Sequence, residues 1–92
     1  MSETPVTSLP QQAAIASWMI DHIGKVLGVP ADGFPVAASF DSYGVDSVEA
    51  VIMAGLLEEE FAVPIDPVEM FDHPSVAAFS AHLAARIAER QV

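Results

Sequence analysis

Gly44-Val45-Asp46-Ser47-Val48-Glu49-Ala50-Val51-Ile52, running on to Phe61, is the stretch whose reading decides the fold of this chain. Asp46, with Glu49 three residues later, matches the capping-box spacing if aspartate stands for serine or threonine. Val48, Val51, Ile52, Gly55, Leu56 and Glu59 then trace one stripe at three- and four-residue steps, with Glu49, Glu58 and Glu60 outside it. A helix is therefore expected from Ser47 to Phe61, ended by Pro64. Ser47 stands at its mouth, exposed and at the positive end of the helix dipole.

Upstream of this stretch, Gly28 to Asp46 has no periodicity and is punctuated by Pro30, Gly33, Pro35 and Gly44. A connection of that length inside a compact domain tends to be functional. Phe34, Val36 and Phe40 are expected to pin it to the helices. Before it, Ala14, Ile15, Trp18, Met19, Ile23, Val26 and Leu27 form one face of a helix from Pro10 to Leu27, which Gly28 and Pro30 stop. Residues 1–9 read as a disordered leader, and residues 10–90 as the folded domain. Downstream, a short turn of helix is expected around Asp66 to Phe71. A last helix follows from Pro74 or Ser75 to Glu89, with Val76, Phe79, Leu83 and Ile87 inward. The fold class is all-α, a small bundle of three main helices and one short one. Trp18, Met19, Phe61, Phe71 and Phe79 are assigned to its core.

Thirteen acidic residues against three basic ones give a formal net charge of −10. Such a chain does not neutralise nucleic-acid phosphates, and anionic membrane surfaces are disfavoured in the same way. A basic protein partner is the natural complement. No apolar run approaches the ~20 residues of a membrane span, and no targeting segment is present, so a cytoplasmic location is expected.

Catalysis by this chain lacks its parts. Val45 and Glu49 stand where a G-x-S-x-G nucleophile elbow needs glycines. His22, His73 and His82 are distant in sequence; His73 reads as a turn or capping residue, the other two as surface or boundary residues. The chain has no cysteine and no H-x-x-x-H pair, so no metal site is expected. Two readings of Ser47 stand: a helix cap, or an attachment point for a phosphate-linked group. Helix-start N–H groups suit a phosphate, and Gly44 is expected to remove bulk where something approaches the serine. Met53 and Met70 read as core, with Val48, Ile52 and Met70 as an alternative shallow apolar contact near the serine.

Gly44-Val45-Asp46-Ser47 before an acidic amphipathic helix, joined at the right distance to Phe71-Asp72-His73-Pro74-Ser75-Val76, resembles the acyl carrier proteins. The resemblance covers roughly Pro10 to Ala88 and is nearest to carriers of modular polyketide synthases. It implies that Ser47 carries 4′-phosphopantetheine, installed from coenzyme A by a phosphopantetheinyl transferase, with Gly44 and Asp46 as motif residues. It implies partner recognition through the second helix and its surroundings, at Val48, Glu49, Ile52, Glu58, Glu59 and Met70. Val48 stands where the family usually has leucine. The implied partners are an acyl-loading enzyme (an adenylating ligase or an acyltransferase) and a ketosynthase or other synthase domains. The carrier itself would be monomeric and shuttle acyl thioesters in polyketide or fatty-acyl-derived synthesis. Tyr43 to Val48 is similar to carriers loaded by fatty-acyl adenylate-forming ligases, and the start at Met1 suggests a free-standing protein or a loading module. Two alternatives remain. One is a peptidyl carrier, although these usually have a second glycine where this chain has Val45. The other is an acidic helical adaptor with no prosthetic group.

Overall fold

Periodicity and capping account for the helices one by one. The structure, a computed structural model, describes residues 8–90, with side chains for residues 11–89. Most of the leader expected over residues 1–9 therefore lies outside the described residues. Helix α1 spans Ser8–Leu27, starting two residues before the expected Pro10. Proline is tolerated there because first-turn N–H groups have no intrahelical acceptor. Ile15, Met19 and Ile23 are buried, Trp18 and Leu27 pack partly against the core, and Ala14 and Val26 are exposed. The buried face is narrower than expected because α1 meets chiefly one helix, the last.

That partner, α4, spans Val76–Arg90 and buries Val76, Phe79 and Leu83 completely, with Ile87 partly covered. Its first turn is capped by Ser75, whose Oγ accepts the Ala78 N–H at 3.0 Å.

Residues 28–46 form the long connection. Phe34 and Phe40 are buried as expected, but the Val36 side chain is 39% exposed. Val36 pins the loop through its carbonyl instead, which accepts the Ala77 N–H at 2.9 Å. In the other direction the Phe40 N–H donates to Pro74 O at 2.8 Å. A 3₁₀ turn over Phe40–Tyr43, not expected from the sequence, carries the chain toward Gly44.

Helix α2 spans Ser47–Phe61, as expected. The Asp46 carboxylate accepts the Glu49 N–H at 2.9 Å, which is the predicted cap. The stripe read from the sequence is not the buried one. Ala50, Met53, Ala54 and Leu57 face the core, whereas Val48, Val51, Ile52 and Leu56 are 38–65% exposed. Two apolar sets lie on this helix at helical spacing, so periodicity could not choose between them. The small alanines mark the side that packs closely. The helix ends before Pro64, at Ala62, whose φ of 55° and ψ of 44° are left-handed.

The short helix α3 spans Val68–Asp72, its start delayed by a reciprocal cap. Asp66 Oδ1 accepts the Val68 N–H at 3.0 Å, and Glu69 Oε2 accepts the Asp66 N–H at 2.9 Å. Met70 is wholly buried, while Phe71, assigned to the core from sequence, is 49% exposed. A helix of five residues has one inward position here, and Met70 takes it. Among the described residues there is no strand.

Two outcomes follow for stability, both read by chemical denaturation. Phe79→Ala should cost about 3–5 kcal/mol by opening a cavity in the α1–α4 core. Ala62→Gly should stabilise by up to about 1 kcal/mol, because it relieves an L-residue in the left-handed region.

Candidate functional site

Ser47 is the first residue of α2 and is exposed. Asp46, extended at φ −85° and ψ −176°, turns the chain into the helix and begins it by accepting the Ala50 N–H at 2.9 Å through its carbonyl. The cap position thus belongs to Asp46, which frees the Ser47 hydroxyl from that task. The other first-turn N–H groups have no intrahelical acceptor and give this end of α2 its partial positive charge.

The approach to Ser47 is fixed by its neighbours. Val45 is buried, and its N–H donates to Phe40 O at 3.0 Å. Gly44 sits at φ 107° and ends the 3₁₀ turn. A Cβ built there would make ordinary contact with Leu27 Cδ1 at 3.6 Å. The expected reason for this glycine, room beside the serine, is therefore corrected: its missing side chain would point toward Leu27, and the backbone angle is what requires it.

Two clefts open on Ser47. The deeper one, about 450 Å³, lies between the 3₁₀ turn, α2 and α3, and is lined by Phe40, Val45, Ala50, Met70 and Phe71 with Ser39, Asp41, Asp46 and Pro74 at its sides. The second, also about 450 Å³, is a shallow apolar groove of Val48, Val51, Ile52 and Phe71. No histidine, lysine or arginine lines either cleft. The histidines are engaged elsewhere. His22 stacks on Trp18 at 5.1 Å, and His73 stacks on His82 at 4.0 Å. Tyr43 packs edge-on against Phe34, and burial pushes its hydroxyl up to about 12, so it remains protonated. Among the described residues no cluster of three metal-ligating side chains occurs.

The recognition residues expected from the sequence divide into two groups. Val48, Ile52 and Glu59 are exposed beside or beyond the serine, and Glu49 is partly so. Met70 does not belong with them: wholly buried, it is the floor of the deeper cleft. Glu58 has an internal duty, accepting the Ile65 N–H at 2.9 Å and holding the chain between α2 and α3. Phe71, Val51 and Val68 add exposed apolar surface that the sequence reading did not assign to the site. Their signal was present in the apolar positions of α2 and α3 left over once Ala50, Met53 and Met70 are turned inward.

Glu69 is paired across to α4. Its Oε1 accepts from His82 Nε2 at 2.6 Å and Arg86 Nη1 at 2.9 Å, and its Oε2 lies 3.1 Å from the same Arg86 nitrogen. Burial pushes its carboxyl up, but the hydrogen bonds from His82 and the Asp66 N–H and the charges of Arg86 and His82 outweigh this and hold it below 4.5.

The family model described as the phosphopantetheine attachment site matches residues 17–83. One component of the phenolphthiocerol/phthiocerol polyketide synthase of Mycobacterium tuberculosis is 31% identical over 78 residues, which is 85% of this chain. The chain spans only about 4% of that relative's length. The solution structure of an acyl carrier protein from Anabaena sp. PCC 7120, with a variant phosphopantetheinylation-site sequence, is 29% identical and covers 92% of each chain, at a TM-score of 0.74. A free-standing peptidyl carrier protein from Acinetobacter baumannii shares the fold at a TM-score of 0.76 and 23% identity, over 84% of this chain and 96% of its own.

Gly44→Ala should lose about 1–3 kcal/mol of stability, measured by thermal melting, with little change in the core. The lowered Glu69 carboxyl stabilises the fold fully above pH 4.5, and that contribution is lost as pH falls through the folded value. The melting difference between the native chain and Glu69→Gln should accordingly be largest near pH 7 and shrink as the pH drops below 4.5.

Proposed function

This chain belongs to the phosphopantetheine-attachment family of carrier proteins, and from that premise we propose that Ser47 bears the arm. Carriers of this family hold cargo for enzymes and are not themselves catalysts. The observation that supports Ser47 is its placement: an exposed hydroxyl at the first position of α2, relieved of capping by Asp46, opening on two clefts with no histidine, lysine or arginine in their lining.

The residues present fit the group. The hydroxyl oxygen of Ser47 supplies the link to phosphorus, and the N-terminal turn of α2 favours the phosphate charge. The clefts beside Ser47 give the rest of the arm both an apolar and a mixed surface to lie on. When bound, 4′-phosphopantetheine supplies a terminal thiol that holds acyl groups as thioesters. The chain's own part is to anchor, present and release; tethering raises the effective concentration of cargo at each partner.

The partners in this reading are a phosphopantetheinyl transferase, an acyl-loading enzyme (an adenylating ligase or an acyltransferase), and a ketosynthase or another synthase domain, met in the cytoplasm by a monomeric carrier. Val48 and Ile52, with Val51 and Phe71 beside them, offer the apolar contact; Glu49 and Glu59 supply charge that a basic enzyme surface would meet. The polyketide relatives favour an acyl over a peptidyl cargo. The peptidyl reading is supported by fold alone, and loading assays with aminoacyl- and acyl-adenylating enzymes separate the two.

Incubation with coenzyme A and a promiscuous phosphopantetheinyl transferase should add one arm to the native chain and none to Ser47→Ala, as read by intact mass. A native chain that stays unmodified, or an alanine variant that still gains the mass, rejects the assignment.

A further inference from the structure

We infer that Glu69 is a positioning residue for the attachment site: by clamping α3 to α4 it fixes Phe71 as the partition between the two clefts that open on Ser47. The inference rests on the reading that Ser47 carries the arm, but the clamp can be tested without it.

Phe71 is the one side chain besides Ser47 that lines both clefts. It is 49% exposed, so its own packing does not hold it in place. Its position is inherited from α3, and a five-residue helix has no stability of its own. Two features hold α3. On the inside, Met70 is wholly buried. On the other side, Glu69 bonds across to α4, to His82 at 2.6 Å and Arg86 at 2.9 Å. The Glu69 and Arg86 side chains are only 18% and 29% exposed, so the pair is shielded from the screening that weakens surface ion pairs.

His73 completes the arrangement. It follows α3 directly and stacks on His82 at 4.0 Å, backing the ring that Glu69 grips. The charged and titratable groups gathered there are thus Glu69 from α3, His73 from the joint, and His82 and Arg86 from α4. One buried anchor alone leaves a short helix free to pivot; a second, on a different side, removes that freedom. With α3 fixed, an arm leaving Ser47 meets Phe71 as a wall, with the mixed cleft on one side and the apolar α2 groove on the other. With α3 loose, the wall moves and the two surfaces merge.

The test uses the full chain, labelled for NMR, at pH 7. Glu69→Gln keeps the size of the side chain and removes its charge; Arg86→Met keeps the aliphatic stem and removes the partner. In both variants amide exchange should rise about tenfold at Met70 and His73, whose N–H groups donate to Pro67 O and Glu69 O, with a clearly smaller rise at Leu83 and Ile23. Arg86→Lys, which preserves the charge, should stay near native. In the transferase assay with coenzyme A, Glu69→Gln should raise KM for the carrier several-fold with kcat retained. Exchange within twofold of native in both variants overturns the clamp, as does a rise shared equally by Leu83, which marks general destabilisation. Faster α3 exchange with an unchanged KM overturns the positioning role. A native chain that accepts no arm overturns the Ser47 assignment instead, and the exchange data still judge the clamp.

Discussion

Two backbone hydrogen bonds hold the surface that presents Ser47. Val36 O accepts the Ala77 N–H, and the Phe40 N–H donates to Pro74 O, so the long connection after α1 is fastened to the start of α4. The first bond also satisfies one of the N–H groups that every helix start leaves without a partner. From Phe40 the rest follows in order: the 3₁₀ turn, the left-handed Gly44, buried Val45 and the Asp46 cap. The orientation of α2 at its serine end is thus set by a joint some thirty residues further along the chain. This explains physically why the Phe71-to-Val76 joint and the Gly44-to-Ser47 motif belong to one reading.

The helices divide their labour by what each one packs against. α1 and α4 pack on each other and supply much of the core through Ile15, Met19, Ile23, Phe79 and Leu83. α2 adds Ala50, Met53, Ala54 and Leu57 to that core on one face and leaves the other outside. α3 is too short to stand alone and is held by Met70 beneath and by Glu69 across to α4. The site forms between the 3₁₀ turn, α2 and α3, with no residue of α1 or α4 in its lining.

Much of this was legible in the sequence, and the failures share one cause. The bounds of α2, the Asp46–Glu49 cap, the buried stripe of α4 and the loop anchors Phe34 and Phe40 depend on local spacing, which a sequence displays. The buried side of α2 depends on which of two apolar sets meets the core, and the set of Ala50, Met53, Ala54 and Leu57 does so. Met70, read as core, is buried, but Phe71, also assigned there, is not, since one turn of helix has a single inward direction. Gly44 was expected to leave room beside the serine, but its φ of 107° is a property of the turn, invisible until the turn is known. The Glu69–His82–Arg86 network joins residues 13 and 17 positions apart, and nothing in the pattern of charges distinguishes such a pair from a solvated acidic run.

The outward-facing valines and isoleucine of α2 carry one more consequence. An apolar ridge of this kind on a small protein invites two copies to stick together through it. Each copy carries a formal net charge of −10, with Glu49, Glu59 and Glu60 on the same helix, so bringing two ridges face to face concentrates like charge around the contact. The same repulsion becomes attraction when the opposing surface is basic. The charge therefore opposes pairing of two such ridges and favours a surface of opposite charge against them.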